Sequence, residues 1–268
     1  MTSLPRRVPF CQRRPHVGIA VVVAVVAALA SGCSSSSGSS STTQGGKAST
    51  TTTQPLTGFA AQSPQAILAA GCGATQPLSS VAVATTFSKP SLVGGVSSMA
   101  WSMSTAANAG TLHYGKKTVV QSIVIPFVTY VKAPASWWAT TTASAGATAL
   151  GGRWISIGQT STYAPIAQPM ISFSNLASLL TNCLPTGQQV VKGRLGSVGS
   201  AETINVAVQA GFTTQTFSIP TTSIPYILKS VMLSAQVGQE TSLLSGFNTQ
   251  KKIAAPAPAT PIEAALAG

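Results

Sequence analysis

The chain of 268 residues is almost free of acidic side chains. It contains no aspartate, its glutamates are Glu202, Glu240 and Glu263, and its histidines are His16 and His113. General acid–base and metal-assisted catalysis need a base with an orienting partner or a set of metal ligands. These few groups lie far apart in the sequence and provide neither. We therefore expect a protein that is not an enzyme and that holds no metal and no other cofactor.

Positive charge, in contrast, is in excess, with 15 Lys and Arg and a net charge of +12. One interpretation is an affinity for anionic lipid head groups or cell-wall polymers. The other is a surface made soluble by Ser, Thr and Gln on which lysines are scattered. We favour this second interpretation for individual residues and keep the first for the total charge. The basic residues do not alternate with aromatics, which argues against nucleic acid as a partner. The basic residues to which both interpretations apply are Lys116, Lys117, Lys132, Lys192, Arg194, Lys251 and Lys252.

Long hydrophobic runs are also scarce. The run at residues 17–30 has 14 residues, whereas a membrane-spanning helix needs about 20. A leader with four arginines precedes it, and Ser31-Gly32-Cys33 follows it. This pattern predicts an export signal rather than a spanning anchor. It resembles a bacterial lipoprotein signal, which implies that residues 1–32 are removed, that Cys33 is acylated (palmitate included), and that the protein is anchored at the extracytoplasmic face of the cell membrane.

Composition divides the remainder into three parts. Cys33 and the Ser/Thr/Gly-rich stretch that ends at residue 56 read as a flexible linker. Residues 57–254 have the size of one domain with a substantial core. Residues 255–268 are rich in Ala and Pro and read as a disordered or loosely attached tail.

Two cysteines remain after the signal and the lipidation site, Cys72 and Cys183. An even number in an oxidising compartment predicts a disulfide, the alternative being two separate buried thiols. Each lies at the end of a predicted short helix. Ser63 and the proline after it begin the first helix, and Ser174 caps the second, which carries Leu176 and Leu180.

The rest of the domain is β-structure. Met99, Trp101 and Met103 alternate with serines, and residues 203–209 alternate in the same way, as in a sheet with one wet face. Turn residues recur every 8 to 14 residues or so, which favours an antiparallel meander. We count nine to eleven strands and about three short helices. Residues 119–131 and 226–233 are apolar on both faces, so each needs a second cover. Either a curled sheet packs on itself around a solid core, or helices roof an apolar cavity.

A family resemblance bears on that choice. The order Tyr130-Val131-Lys132-Ala133-Pro134, then Trp137-Trp138, then Leu150-Gly151-Gly152-Arg153-Trp154-Ile155 resembles the actinobacterial LolA-like lipoproteins, the LppX/LprA/LprF/LprG group. It implies an α+β fold, a curved antiparallel sheet or half-open β-barrel with short helices over its concave face. It also implies a lipid-sized cavity, because members bind acylated lipid or glycolipid and carry or present it in the envelope.

The partners implied are thus acylated lipid or glycolipid, the membrane through the N-terminal anchor, and an envelope export protein. Trp137, Trp138 and Trp154 resemble packing residues of the family, the alternative being an aromatic rim at a membrane surface. The alternative function is a non-catalytic structural or interaction lipoprotein with a filled core that docks on an envelope partner. The candidate cavity residues are Trp101, Met103, Ile123, Ile125, Tyr130, Leu180 and Val206.

Overall fold

A twelve-stranded sheet forms the body of the structure, a computed structural model that describes residues 56–142, 144–175, 187–235 and 238–267. Cys33, Leu180 and Cys183 lie outside the described residues, so lipidation and the disulfide stay predictions. The strands are β1 (Ser80–Phe87), β2 (Val96–Ser104), β3 (Asn108–Tyr114), β4 (Thr118–Ile125), β5 (Val128–Lys132), β6 (Trp154–Gly158), β7 (Gln189–Val198), β8 (Ala201–Ala210), β9 (Thr213–Pro220), β10 (Lys229–Ser234), β11 (Gly238–Ser245) and β12 (Thr260–Pro261).

The sheet is curved and unclosed, with β12 at one edge and β7 at the other. Its order is β12-β6-β5-β4-β3-β2-β1-β11-β10-β9-β8-β7. Strands β1 to β6 and β7 to β11 each form an antiparallel meander, and β1 joins the two by pairing with β11. Among the described strands, only β12 pairs in parallel, with β6. The predicted curved antiparallel sheet with short helices is confirmed, with one strand more than the expected upper limit.

Alternating side chains and glycine turns account for these strands. Met99, Trp101 and Met103 are buried while the residues between them are more exposed, as predicted for a sheet with one wet face. Gly199 and Gly211 form the tight turns on either side of β8 with φ of 58° each. Glycine adopts this left-handed backbone conformation without a clash because it has no Cβ. The two tight turns keep β7, β8 and β9 in register.

The helices described are short. They are α1 (Pro64–Thr75), α2 (Ala135–Thr141), α3 (Ser144–Leu150), α4 (Ala164–Phe173) and α5 (Ile262–Ala267), with 3₁₀ turns at Gly58–Ala61 and Pro90–Val93. The start predicted for α1 is confirmed, because the Ser63 hydroxyl accepts a hydrogen bond from the Ala66 amide at 3.2 Å. The second predicted helix is not tested, although the structure shows that its expected cap, Ser174, follows the last residue of α4. Its later residues, from 176 onward, lie outside the described residues.

All the helices that bury a large side chain pack on one face of the sheet, called here the covered face. Strand pairing places Val83, Trp101, Gly110, Ser122 and Val131 in one row across it. The covered face carries two separate hydrophobic clusters. The first lies on β1 to β6 under α2 to α5 and includes Trp138, Leu150 and Met170. The second lies on β8 and β9 under α1.

The α1 cluster shows how a short helix is held on the sheet. Ile67, Leu68 and Cys72 are buried against Ile204 and Ile219. Burial of an aliphatic side chain of this size stabilises the fold by about 1.5–3 kcal/mol. Gly71 lets the helix approach closely, because a Cβ there would lie 2.7 Å from Cδ1 of Ile219.

The structure corrects the expectation that the two apolar stretches, residues 119–131 and 226–233, are strands covered on both faces. The face of β4 and β5 opposite the covered face has no complete second cover, since Val119 is 40% exposed and Phe127, in the turn between the strands, is 74% exposed. Residues 224–228 are irregular rather than part of a strand. An apolar run does not itself distinguish a strand covered on both faces from a strand with one face partly exposed.

The C-terminal tail is not loosely attached. Thr260 and Pro261 pair with β6, and Ile262 of α5 is fully buried in the first cluster. Alanine- and proline-rich composition suggested disorder, but one isoleucine and a leucine four residues later supply an apolar stripe that packs. The boundary predicted at residue 254 therefore does not separate the domain from a free tail.

Candidate functional site

The centre of the covered face, between the two clusters, is polar. One row across the sheet runs from Phe217 through Ser230, Ser242 and Thr85 to Met99. Thr85 and Ser242 are buried, and their hydroxyl oxygens lie 2.8 Å apart in a hydrogen bond. The hydroxyls satisfy each other because a buried unpaired one would be costly. Serine and threonine thus separate the apolar parts of β9 and β2.

Neighbouring side chains extend this feature, which we call the polar row: Gln215, Ser230, Ser242, Thr85 and Glu240. Nε2 of Gln215 donates to Oγ of Ser230 at 3.1 Å, and the Ser242 hydroxyl donates to Oε1 of Glu240 at 3.4 Å. Ser230, Gln215 and Glu240 are only half-buried. The polar row is therefore a strip of hydrogen-bonding groups at the junction of two apolar clusters, an arrangement suited to an amphiphile.

Glu240 is the carboxylate of this strip. Burial raises the pKa of Glu240 above its ordinary value, and the hydrogen bond from Ser242 opposes that rise. No salt bridge to Glu240 occurs within the described residues. A desolvated carboxyl that gains a proton more readily can also donate a hydrogen bond to a neutral polar group. Sequence reasoning noted Glu240 only as one of three scattered acids; its place on the covered face follows from pairing with Phe87.

The predicted cavity residues divide between the two faces. Trp101, Met103 and Val206 lie on the covered face and are buried in the two clusters. Ile123, Ile125 and Tyr130 lie on the opposite face, because their neighbours Ser122 and Val131 occupy the covered face. Successive residues of a strand alternate between faces. The seven residues therefore do not line one cavity, and Leu180 lies outside the described residues.

A close approach between strands accommodates the largest of these side chains. The ring of Trp101 lies over Gly110 of β3, where any Cβ would overlap it. Beyond Gly110 in the same row is Ser122 of β4. The Trp101 Nε1 and the Ser122 Oγ are both buried and have no hydrogen-bond partner among the residues that the structure describes. Buried polar atoms are normally paired, so these two atoms are exceptions to the usual satisfaction of hydrogen bonds.

An open groove of about 690 Å³ adjoins the first cluster. This groove, the Tyr114–Trp137 groove, lies between the β3–β4 hairpin, α2 and α4. Its lining residues are Gly94, Tyr114, Thr118, Ser136, Trp137, Thr140, Thr141, Pro165, Ile166 and Pro169. The two aromatic rings are 6.2 Å apart at 56°. Sites for small ligands are commonly about 300–1,000 Å³ and largely apolar with a few polar groups.

Within the groove, the side chain of Trp137 is the hydrogen-bonding neighbour that acts on the pKa of Tyr114. Burial raises the pKa of Tyr114, and this hydrogen bond opposes the rise. Trp137 and Trp138 are buried and their rings meet edge-on at 4.9 Å. The expectation that these tryptophans serve packing fits that burial, while Trp137 also lines the groove. A second, smaller pocket of about 290 Å³ lies between α4 and β6.

Metal and membrane-spanning features were sought in the same part of the chain. Among the described residues, no group of three or more His, Cys, Asp or Glu side chains is placed to hold a metal ion. No helix in the ranges that the structure describes combines the length and apolarity needed to cross a bilayer.

Comparison with known proteins supports the fold. No protein-family model matches the sequence, and the search of curated proteins found no match. Among solved structures, LprF from Mycobacterium bovis is similar at a TM-score of 0.51, with 15% identity over 72% of this chain and 96% of LprF. The Mycobacterium tuberculosis lipoprotein LppX gives 0.48, with 15% identity over 71% and 98% of the two chains. The LprF comparison shows a shared fold, so the resemblance that predicted a LolA-like sheet is confirmed at the level of fold.

Proposed function

We propose that this chain is a non-catalytic envelope lipoprotein that binds the acyl chains of a lipid or glycolipid beneath the helices of the covered face and carries or presents that lipid. Cys33 anchors it at the extracytoplasmic face of the membrane. The fold shared with LprF supports a lipid-binding role in general terms. The finer parts of the proposal, the glycolipid, the anchor and an export partner, depend on the residue arguments of the sequence.

The observation that carries the proposal is the division of the covered face. Within the described residues, two apolar clusters flank a half-buried strip on β10 and β11 instead of merging into one core. Hydrocarbon leaves water with a gain of about 0.8 kcal/mol per CH₂, without directional bonds. An acyl chain placed between the clusters would bury apolar surface on both, and the polar row would meet the polar part of the lipid.

A lipid-loading experiment tests this proposal. The full chain purified from its own envelope is expected to carry lipid that is detected by native mass spectrometry and released by denaturation. Met232 is half-buried on the covered face beside Glu240, so Met232→Trp is expected to fill the space and lower the bound lipid several-fold. Leu233→Trp is the matched control, since Leu233 points to the other face and is 56% exposed.

The second candidate, a structural or interaction lipoprotein with a filled core, is favoured by a different observation. Trp101, Met103 and Val206 are almost completely buried, as in an ordinary core. Phe212, fully exposed in the β8–β9 turn, offers a contact for a partner protein. Absence of lipid from the native protein, together with equal behaviour of the Met232 and Leu233 variants, would contradict lipid carriage and support this candidate.

A further inference from the structure

The Tyr114–Trp137 groove opens at one end of the sheet, and that end is basic. Because neighbouring strands are antiparallel, the β1–β2 loop, the β3–β4 turn and the segment after β5 leave the sheet at the same end. The first carries Lys89 and the second Lys116 and Lys117. All three are exposed, and their ammonium groups make no hydrogen bond or ion pair with the part of the chain that the structure describes.

Two of these lysines adjoin the groove directly. Gly115, Lys116 and Lys117 form the turn that connects Tyr114 to Thr118, and both of those residues line the groove. On the neighbouring loop, Lys89 precedes the 3₁₀ turn whose C-cap, Gly94, also lines it. Leu92 in that turn is 48% exposed. The groove therefore combines an aromatic and aliphatic wall with cations at its margin.

Negative charge does not compensate these lysines locally. Glu202 is the second residue of β8, which places it at the opposite end of the sheet. Glu263 accepts a hydrogen bond from Ser161 just beyond the end of β6, also at the opposite end. Glu240, the acid nearest the basic end, is half-buried on the covered face. The basic end thus presents an uncompensated positive field toward solvent.

We infer that the Tyr114–Trp137 groove and its flanking lysines bind an anionic phospholipid at a membrane surface. The phosphate pairs with Lys116 and Lys117, and the glycerol and upper acyl chain lie against Tyr114, Trp137 and Ile166. Anionic lipid is the occupant that matches both halves of the site, because a sugar alone leaves the lysines unpaired and a zwitterionic lipid brings a cation along with its phosphate. This inference goes beyond the proposed function: it concerns a contact with the bilayer, not the lipid carried under the helices.

The test uses the full chain, held by its N-terminal region in vesicles of phosphatidylcholine alone or mixed with phosphatidylglycerol. The acyl chains of one lipid at a time carry bromine, which quenches nearby tryptophan fluorescence. Brominated phosphatidylglycerol is expected to quench tryptophan fluorescence several-fold more than brominated phosphatidylcholine. Trp137→Phe is expected to abolish most of that quenching, because Trp137 lines the groove whereas Trp101, Trp138 and Trp154 do not. Undiminished quenching in this variant would overturn the inference.

A pair of charge-reversal variants tests the lysines. Since each lysine near an anionic surface adds to the attraction, Lys116→Glu with Lys117→Glu is expected to weaken the preference for phosphatidylglycerol by about tenfold or more. Lys251→Glu with Lys252→Glu makes the same charge change at another exposed pair. It is expected to leave the preference nearly unchanged. Equal effects of both pairs would show a non-specific response to net charge and would overturn the inference.

Two further outcomes separate this site from its alternatives. If soluble polyphosphate binds through Lys116 and Lys117 while vesicles leave Trp137 unquenched, the occupant is an anionic polymer and the inference is wrong. The lysine variants are expected to retain co-purifying lipid, whereas Met232→Trp is expected to retain the vesicle response. Failure at the basic end is therefore distinguishable from failure of lipid carriage.

Discussion

At the scale of single residues, the side chain of Trp101 determines what its neighbours can be. Its ring occupies the space above Gly110, so β3 has no side chain at the point where the ring crosses it. Alternation in the sequence predicted correctly that Trp101 points inward. It did not indicate which residue on the neighbouring strand must be glycine, because that depends on the register between β2 and β3.

Gly110→Ala is expected to destabilise the protein by about 1–3 kcal/mol, because the added Cβ overlaps the Trp101 ring and lies 2.6 Å from the Ala100 carbonyl oxygen. Urea unfolding followed by tryptophan fluorescence measures the change. Gly158→Ala is the control, since a Cβ at the end of β6 meets nothing within 4 Å. Similar midpoints for the two variants would contradict the packing described for Trp101.

Glu240 is expected to make stability fall as pH rises. Burial raises its pKa, so the folded chain holds the proton at pH values where the unfolded chain has released it. The loss begins near the ordinary value of 4.5 and is complete above the raised folded-state pKa. Glu240→Gln should therefore gain stability relative to the unmodified protein on going from below pH 4.5 to neutral pH, measured by thermal unfolding. The same change at exposed Glu202 serves as control; a pH-independent difference for Glu240→Gln would contradict the effect of burial.

At the scale of secondary-structure elements, local patterns predicted α1, the strands and the hairpin turns. The same patterns did not assign faces for β4 and β5. Ile123 and Tyr130 pair with each other on the face opposite the helices. Their chain neighbours Ser122 and Val131 form the next pair, on the covered face. Hydrophobicity alone suggested that Ile123 faces the helices and Ser122 the solvent. In the structure Ser122 is buried and Ile123 is half-exposed. The face of a strand is decided by which side the helices cover, which is not a local property.

The C-terminal element provides a direct test of this kind of packing. Ile262→Ala is expected to cost about 2–5 kcal/mol, because Ile262 is fully buried in the first cluster and its loss leaves a cavity. The exposed neighbour Pro261→Ala is the control. Urea unfolding measures both. A loosely attached tail would instead show no change in the Ile262 variant.

At the scale of the whole molecule, the pairing of β1 with β11 brings together residues about 160 positions apart in the chain. This pairing joins the two meanders into one sheet and places the polar row between two apolar clusters. Neither meander contains the row by itself, since Thr85 comes from one and Ser242 from the other. The site proposed for lipid is therefore a product of long-range pairing.

The predicted disulfide also acts at this scale. A bond between Cys72 and Cys183 would close a loop of about 110 residues and stabilise the fold by about 4 to 5 kcal/mol in the chain-entropy model. Cys72 is fully buried in α1, so alkylation must be done in denaturant. Two thiols are expected to become reactive only after reduction. Labelling of both without reductant would exclude the bond.

The sequence by itself determined the kinds of elements, the cap of α1, the alternation of the main strands, the shortage of catalytic groups and the case for an export signal. Each of these depends on residues that are close in the chain or on composition. Only the tertiary structure decided the face of Ile123 and Tyr130, the packing of the C-terminal segment, the polar row and the groove at the basic end. These depend on register and helix placement, where each residue's environment is supplied by distant parts of the chain.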